Sequence, residues 1–257
     1  MRVRLSIAAL LLAASAGSAF AQANSFALIF AKTGKTIGKA SYTIDKVKAG
    51  TRVRSKFEYK LGGMATQLGP IDPDKPTATI SEVQYTAEFT IDAKGNTLSG
   101  YAQNGTTQMM TSFQPNKTRD IVTIGKVQGG ASAPSRDVPV PKPDFQIAAD
   151  YDPAAMQTLL TTVLTTPHAD HLYLVLTMSS GLQPQITPLY IAVGEPTKAT
   201  GQLDGKPVDL KVYPLKWNKA KGDIIATEDG VLMQADNGQA GATYIRNKFT
   251  LDPMPKQ

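Results

Sequence analysis

The chain's only two histidines stand together, in the run His168-Ala169-Asp170-His171. Imidazole and carboxylate are common metal ligands, so this run is the first place to look for a metal centre. Its spacing argues against one. Residues three apart share a face on a helix but not on a strand. Pro167 ends the apolar helical pattern before the run, and the apolar residues after His171 read as strand. The run is read as a polar connector, and no metal ligand is assigned. Nucleophilic hydrolysis needs a nucleophile, a base and a group that orients the base. No Gly-x-Ser-x-Gly turn occurs, and the only histidines available as base are these two.

The remaining chemical candidates are weaker still. Gly34-Lys35-Thr36 has the ending of a phosphate-binding loop, but Ile29 stands where the motif needs its first glycine, and Ile37 to Ile44 reads as strand rather than helix. Asp72, Asp74, Asp150 and Asp152 lie in proline-rich stretches and read as turn and cap residues. A carboxylate pair need not be close in sequence, so glycoside hydrolysis is the catalytic class left open. No catalytic residue and no cofactor is assigned. The chain has no cysteine, which removes disulfides, thiolate chemistry and a lipid anchor on a processed cysteine.

Two patterns point to binding instead. Arg52, Arg54 and Lys56 form a positive stripe on one strand face, with Lys46 and Lys48 upstream and Glu58 interrupting it. Such a stripe could dock an anionic envelope partner, although charged outer faces also guard sheets against edge-to-edge pairing. The exposed, interleaved aromatics of a nucleic-acid platform are missing, so no nucleic-acid partner is expected. The second pattern is apolar. Tyr85, Phe89, Met109 and Phe113 are the candidate ligand-binding residues, because on one concave surface they would line a pocket for a lipid or other apolar small molecule. The alternative reading of these four is plain core.

These residues must be positioned by strands. Val53, Ser55, Phe57, Tyr59 and Leu61 alternate with Arg52, Arg54, Lys56, Glu58 and Lys60, and Val83 to Ile91 repeats the alternation. Period-two patterning with one polar face describes half-buried antiparallel strands. Turn chemistry recurs between the runs, as at Lys48-Ala49-Gly50, Ala93-Lys94-Gly95-Asn96, Asp204-Gly205 and Asp229-Gly230. Residues 129–143 hold two glycines and four prolines and read as a loop. One helix is expected after it. Asp152 suits the N-cap, Pro153 the first turn, and Ala155, Met156, Leu159, Leu160, Val163 and Leu164 make an apolar stripe. The fold class expected is mainly β: one large antiparallel curved sheet, half-barrel-like, with the mid-chain helix packed on its concave face. Two β domains hinged at the proline-rich stretch would be the other arrangement.

The first residues carry an address. Arg2 and Arg4 precede an apolar run from Leu5 to Ala16, and Ala19 and Ala21 offer small residues before a cleavage point. That is a secretory signal pattern over residues 1–21, leaving a single β-rich domain over 22–257 in the periplasm or outside the cell. No other apolar run reaches the ~20 residues of a membrane-spanning helix, so no transmembrane anchor is expected. The formal charge of +6 falls to about +4 without Arg2 and Arg4, a modest excess.

The strand lengths and turns, from Phe26 to Tyr42, Ile80 to Gln114 and Leu203-Asp204-Gly205-Lys206 through Tyr244-Ile245-Arg246, resemble periplasmic lipoprotein carriers and exported bacterial domains of unknown function built like them. The resemblance implies a half-barrel with a helix plug. It carries no catalytic residues. The carriers' early helix is replaced here by strand pattern. The expected function is that of a non-enzymatic exported protein that binds an apolar ligand in the curved sheet, with a structural or protein-interaction module of the cell envelope as the alternative.

Overall fold

A computed structural model describes residues 24–253 apart from 31–33, 61–65, 68–78, 81, 106–107, 129, 150–151, 179–185, 218–219 and 238–241. Residues 1–21, read above as a signal pattern, and the carboxylates Asp72, Asp74 and Asp150 lie outside the described residues. Alternation and turns produce the expected meander. Its first strands are β1 (Ser25–Phe30), β2 (Lys35–Val47) and β3 (Gly50–Lys60), with β4 (Thr66–Gln67) and β5 (Thr79–Ile80) as a separate short pair. The meander continues through β6 (Glu82–Ile91), β7 (Thr97–Asn104), β8 (Met109–Pro115), β9 (Ile121–Gln128) and β10 (Ala131–Pro139). After β11 (Gln146–Ala149) comes the helix α1 (Pro153–Thr165). Then follow β12 (Leu172–Met178), β13 (Ile186–Val193), β14 (Thr197–Leu203), β15 (Lys206–Trp217) and β16 (Ala220–Thr227). The last are β17 (Leu232–Asn237), β18 (Ala242–Arg246) and β19 (Phe249–Leu251).

All but β4 and β5 belong to one sheet, which is not closed into a barrel. Two arms meet where β1 pairs with β18. One arm runs β1, β2, β3, β6, β7, β8, β9, β10. The other runs β18, β17, β16, β15, β13, β12, β11. Among these pairings only β11 with β12 is parallel. The helix lies between the arms, touching β2 and β3 on one side and β17 and β11 on the other. That is the expected curved sheet with a helix on its concave face.

Burial follows the pleat. Val53, Ser55 and Phe57 of β3 are buried, as are Tyr85, Ala87, Phe89 and Ile91 of β6. These side chains join a single large core with α1 and the second arm. β15 is buried on both faces. Tyr213, Leu215 and Trp217 point into the large core, while Leu210 and Val212 point the other way. There, Ile225, Met233 and Phe249 complete a second, outer cluster, closed by β14 and β19, which pair with each other.

Two sequence expectations are corrected. Of the proline-rich stretch 129–143 read as a loop, residues 131–139 form the edge strand β10. Proline is tolerated there because one side of an edge strand needs no ladder donors. Pro134 falls inside a register shift between Ala133 and Arg136, where pairing is already interrupted. The second correction concerns α1. Asp152 and Pro153 start it as expected, with the Asp152 carboxylate accepting from Ala154 N. Leu159 and Leu160 are each 1% exposed, but Leu164 is 43% exposed. The polar Gln157, Thr158 and Thr162 are buried in its place. The helix is rotated away from its pure apolar stripe because the sheet offers it hydrogen-bond partners.

Candidate functional site

The four apolar candidates do share one surface. Phe89 and Phe113 are the cross-strand neighbours of Gly100 on either side. Tyr85 and Met109 flank Asn104 in the same way. Strand register therefore sets the four at the corners of a rectangle on the inner face. Gly100 is necessary to this arrangement. A Cβ there would lie 2.2 Å from the Phe89 ring, so the bare backbone lets the rings of Phe89 and Phe113 lean together, with centroids 6.3 Å apart. Tyr85 stacks on Phe57 at 5.2 Å. All four candidates are at most 6% exposed. The four side chains are buried against other residues of the protein. Glycine inside a strand pattern is a signal for such close approach, and Ser99-Gly100-Tyr101 carried that signal in the sequence.

Next to this apolar surface lies a buried polar seat for α1, which the sequence patterns did not reveal. Gln157 is its centre. Its Oε1 accepts from the Tyr42 hydroxyl and from Leu232 N, both at 2.9 Å, and its Nε2 donates to Gly230 O at 2.8 Å. One helical side chain thus bridges both arms of the sheet. At the helix start, the Ser55 hydroxyl donates to Asp152 Oδ2 at 2.6 Å and Ala154 N donates to Asp152 Oδ1 at 2.9 Å. At the far end, Gln146 Nε2 donates to Thr162 Oγ1 at 2.6 Å. Burial raises the Asp152 carboxyl to about 6, against the lowering effect of its Ser55 and Ala154 hydrogen bonds. Burial also raises the Tyr42 phenol and lowers Arg246, whose Nη1 donates to Leu232 O at 3.2 Å. The β6–β7 turn closes over α1 at Gly95, which has φ +87° and no room for a Cβ beside Thr162.

The outer face is different. Arg54 pairs with Asp45 and stands opposite Glu88, and Arg52 lies 3.9 Å from Asp45. Lys39 and Lys56 lie 3.2 and 3.4 Å from the two oxygens of Glu58, holding its carboxyl below the ordinary range, chiefly through the Lys39 hydrogen bond. The basic stripe is therefore interleaved with the chain's own carboxylates. Beside it, Lys39, Ser41, Lys56, Glu58, Ser25 and Asn247 border a cleft of about 310 Å³. A second cleft, of about 360 Å³, lies on the second arm between Lys198, Asp209, Leu210, Glu228 and Asp252. At the sheet's edge, eight of the nine residues of β10 are exposed.

The histidine run is a connector with local structure. Asp170 Oδ1 accepts from Leu172 N at 3.1 Å, which holds that carboxyl below its usual range. The His168 ring stacks on Tyr173, with centroids 4.5 Å apart, and its Nδ1 lies 2.9 Å from Leu172 O. His171 points elsewhere, 3.9 Å from Glu195. Among the described residues, no group of three or more His, Cys, Asp or Glu side chains is placed to hold a metal ion. No helix among them is long and apolar enough to cross a membrane.

No protein-family model matches the sequence, and no curated protein matches it. Among solved structures, the chain is similar to a DUF1089 family protein from Pseudomonas aeruginosa. The two are 11% identical, with a TM-score of 0.41, over 77% of this chain and 90% of that one.

Proposed function

We propose that this is an exported protein without catalytic machinery that works as an interaction module of the cell envelope, through the outer surface of its sheet. One observation supports the reading: among the described residues the inner-face side chains Phe57, Tyr85, Phe89, Met109 and Phe113 are buried and α1 packs between the arms, whereas the outer surface presents two clefts and the exposed strand β10. A binding protein of this kind needs a rigid scaffold and an accessible surface, and the filled core supplies the rigidity. The test is site-specific photo-crosslinking in the native host. A photoreactive residue replaces Ser135 on β10, Ser41 in the first cleft or Thr200 beside the second. A discrete, saturable adduct at one position supports the reading, and no discrete adduct at any of the three sinks it.

A second reading is retained because the helix is seated by hydrogen bonds. A lid held by directional polar contacts can lift as a unit and uncover the apolar surface of Tyr85, Phe89, Met109 and Phe113 for a lipid or acyl chain. Native mass spectrometry of protein purified from its own host separates the two. A bound lipid lost on Phe89→Trp or Met109→Trp supports the second reading, while protein that is empty at every preparation removes it.

A further inference from the structure

We infer that Asp152 is a proton-operated latch on α1: while its carboxyl is neutral the first turn of the helix is seated in the sheet, and ionisation loosens that turn. The inference goes beyond the proposed function and holds whichever surface binds a partner.

The geometry is that of a carboxyl group with too few partners for a charge. Asp152 is 4% exposed. Among the described residues its donors are the Ser55 hydroxyl and the Ala154 amide, one to each oxygen. An ionised carboxylate can accept about four hydrogen bonds and in water would have them all. The surroundings offer little compensation. From β2 the titratable neighbour is Tyr42, a neutral phenol whose hydroxyl is committed to Gln157. From β3 the facing group is the uncharged Ser55 hydroxyl. From β18 it is Arg246, whose guanidinium donates to Leu232 O and influences Tyr42 rather than Asp152. β11 and β17 meet the helix with the Gln146 amide and with the backbone of Leu232. The helix dipole and the Ala154 amide favour the anion, yet desolvation outweighs them and places the transition at about pH 6. Both states keep a cap on Ala154, so the equilibrium concerns the seating of the first turn rather than the existence of the helix.

Residue-resolved amide hydrogen exchange between pH 4.5 and 7.5, normalised to intrinsic rates, tests this on the intact exported chain. In the wild type, Ala154 to Gln157 should lose protection by about 30-fold across that range, as linkage predicts for an acid displaced from its ordinary pKa to about 6. Amides of the outer cluster, at Val212 and Ile225, should lose protection only as far as global stability falls, and should open far more rarely than the first turn at every pH. Asp152→Asn keeps an oxygen for the Ala154 amide and should abolish the slope. Ser55→Ala removes a donor to the anion and should move the midpoint upward. Direct carboxyl-carbon NMR titration of Asp152 keeps the proposal testable if a variant fails to fold. A midpoint near 6 supports the latch, and one below about 4.5 overturns it. It is equally overturned by first-turn protection that is flat with pH, by a slope that survives in Asp152→Asn, or by a first turn that opens no more often than the outer cluster at any pH.

Discussion

The two sides of β15–β17 bury their residues by different means. The outer cluster of Leu210, Val212, Ile225, Met233 and Phe249 is apolar throughout and is closed by two short strands. The inner side carries the same kind of apolar core but adds Ser55, Asp152, Gln157, Thr158 and Thr162, all buried. Apolar burial is non-directional and indifferent to pH. Buried polar pairs are directional and sensitive to protonation, and they penalise any arrangement that leaves one member unpaired. The contrast explains how a helix with a mixed face can have one defined seat. Leu159 and Leu160 supply attraction, about 1.5–3 kcal/mol each when fully buried, while Gln157 specifies orientation by engaging Tyr42 and Leu232 together.

Phe249→Ala probes the apolar side and should have the largest effect. It opens the outer cluster and should cost about 3–5 kcal/mol, equally at pH 5 and pH 7.5 by urea denaturation. A strong pH dependence of that loss would break the contrast. Asp152→Asn probes the polar side. The native carboxyl is raised from 3.8 to about 6, so the folded state binds more protons than the unfolded state in between. The Asp152 contribution to stability is then fully present below pH 3.8 and is lost as pH rises through 6. The total fall amounts to about 3 kcal/mol. The variant should lose this dependence and equal or exceed the wild type at pH 7.5. A variant markedly weaker than wild type at pH 7.5 would show the charge to be stabilising after all.

Gln157→Ala should cost about 1–3 kcal/mol, since it orphans the Tyr42 hydroxyl and the Leu232 amide. Adding Tyr42→Phe should recover part of this loss, because the second change removes a stranded polar group. Strict additivity in the double-mutant cycle would mean that the two side chains are not coupled. Arg54→Ala on the solvated face should cost least, at most about 1 kcal/mol and less at high salt. A larger loss, unaffected by salt, would place that ion pair in the structural core.

Much of the scaffold was legible from residue order. Val53-Arg54-Ser55-Lys56-Phe57 carries its own face assignment, because a strand has only two faces and one of them must be dry. Asp152-Pro153 carries the helix start, because capping is local chemistry. β10 was not legible, since proline marks both loops and edge strands and only the neighbouring β9 distinguishes them. The candidate site was half legible. Alternation put Tyr85, Phe89, Met109 and Phe113 on matching faces, but whether that surface was hollow depended on Gly100, Phe57 and α1 arriving from elsewhere in the chain.

The sequence by itself therefore determined periodicity, turns, the helix start, the lack of thiol chemistry and the pattern of an export signal, because each rests on neighbours along the chain. Tertiary structure alone decided that Tyr85, Phe89, Met109 and Phe113 are buried and that Gln157 bridges the two arms. It also decided that Asp152, an ordinary cap by sequence, is a buried carboxyl opposite Ser55. These outcomes depend on which groups meet across 97 and 115 residues of chain. Desolvation and hydrogen-bond satisfaction act on those meetings, and spacing within a strand or helix does not encode them.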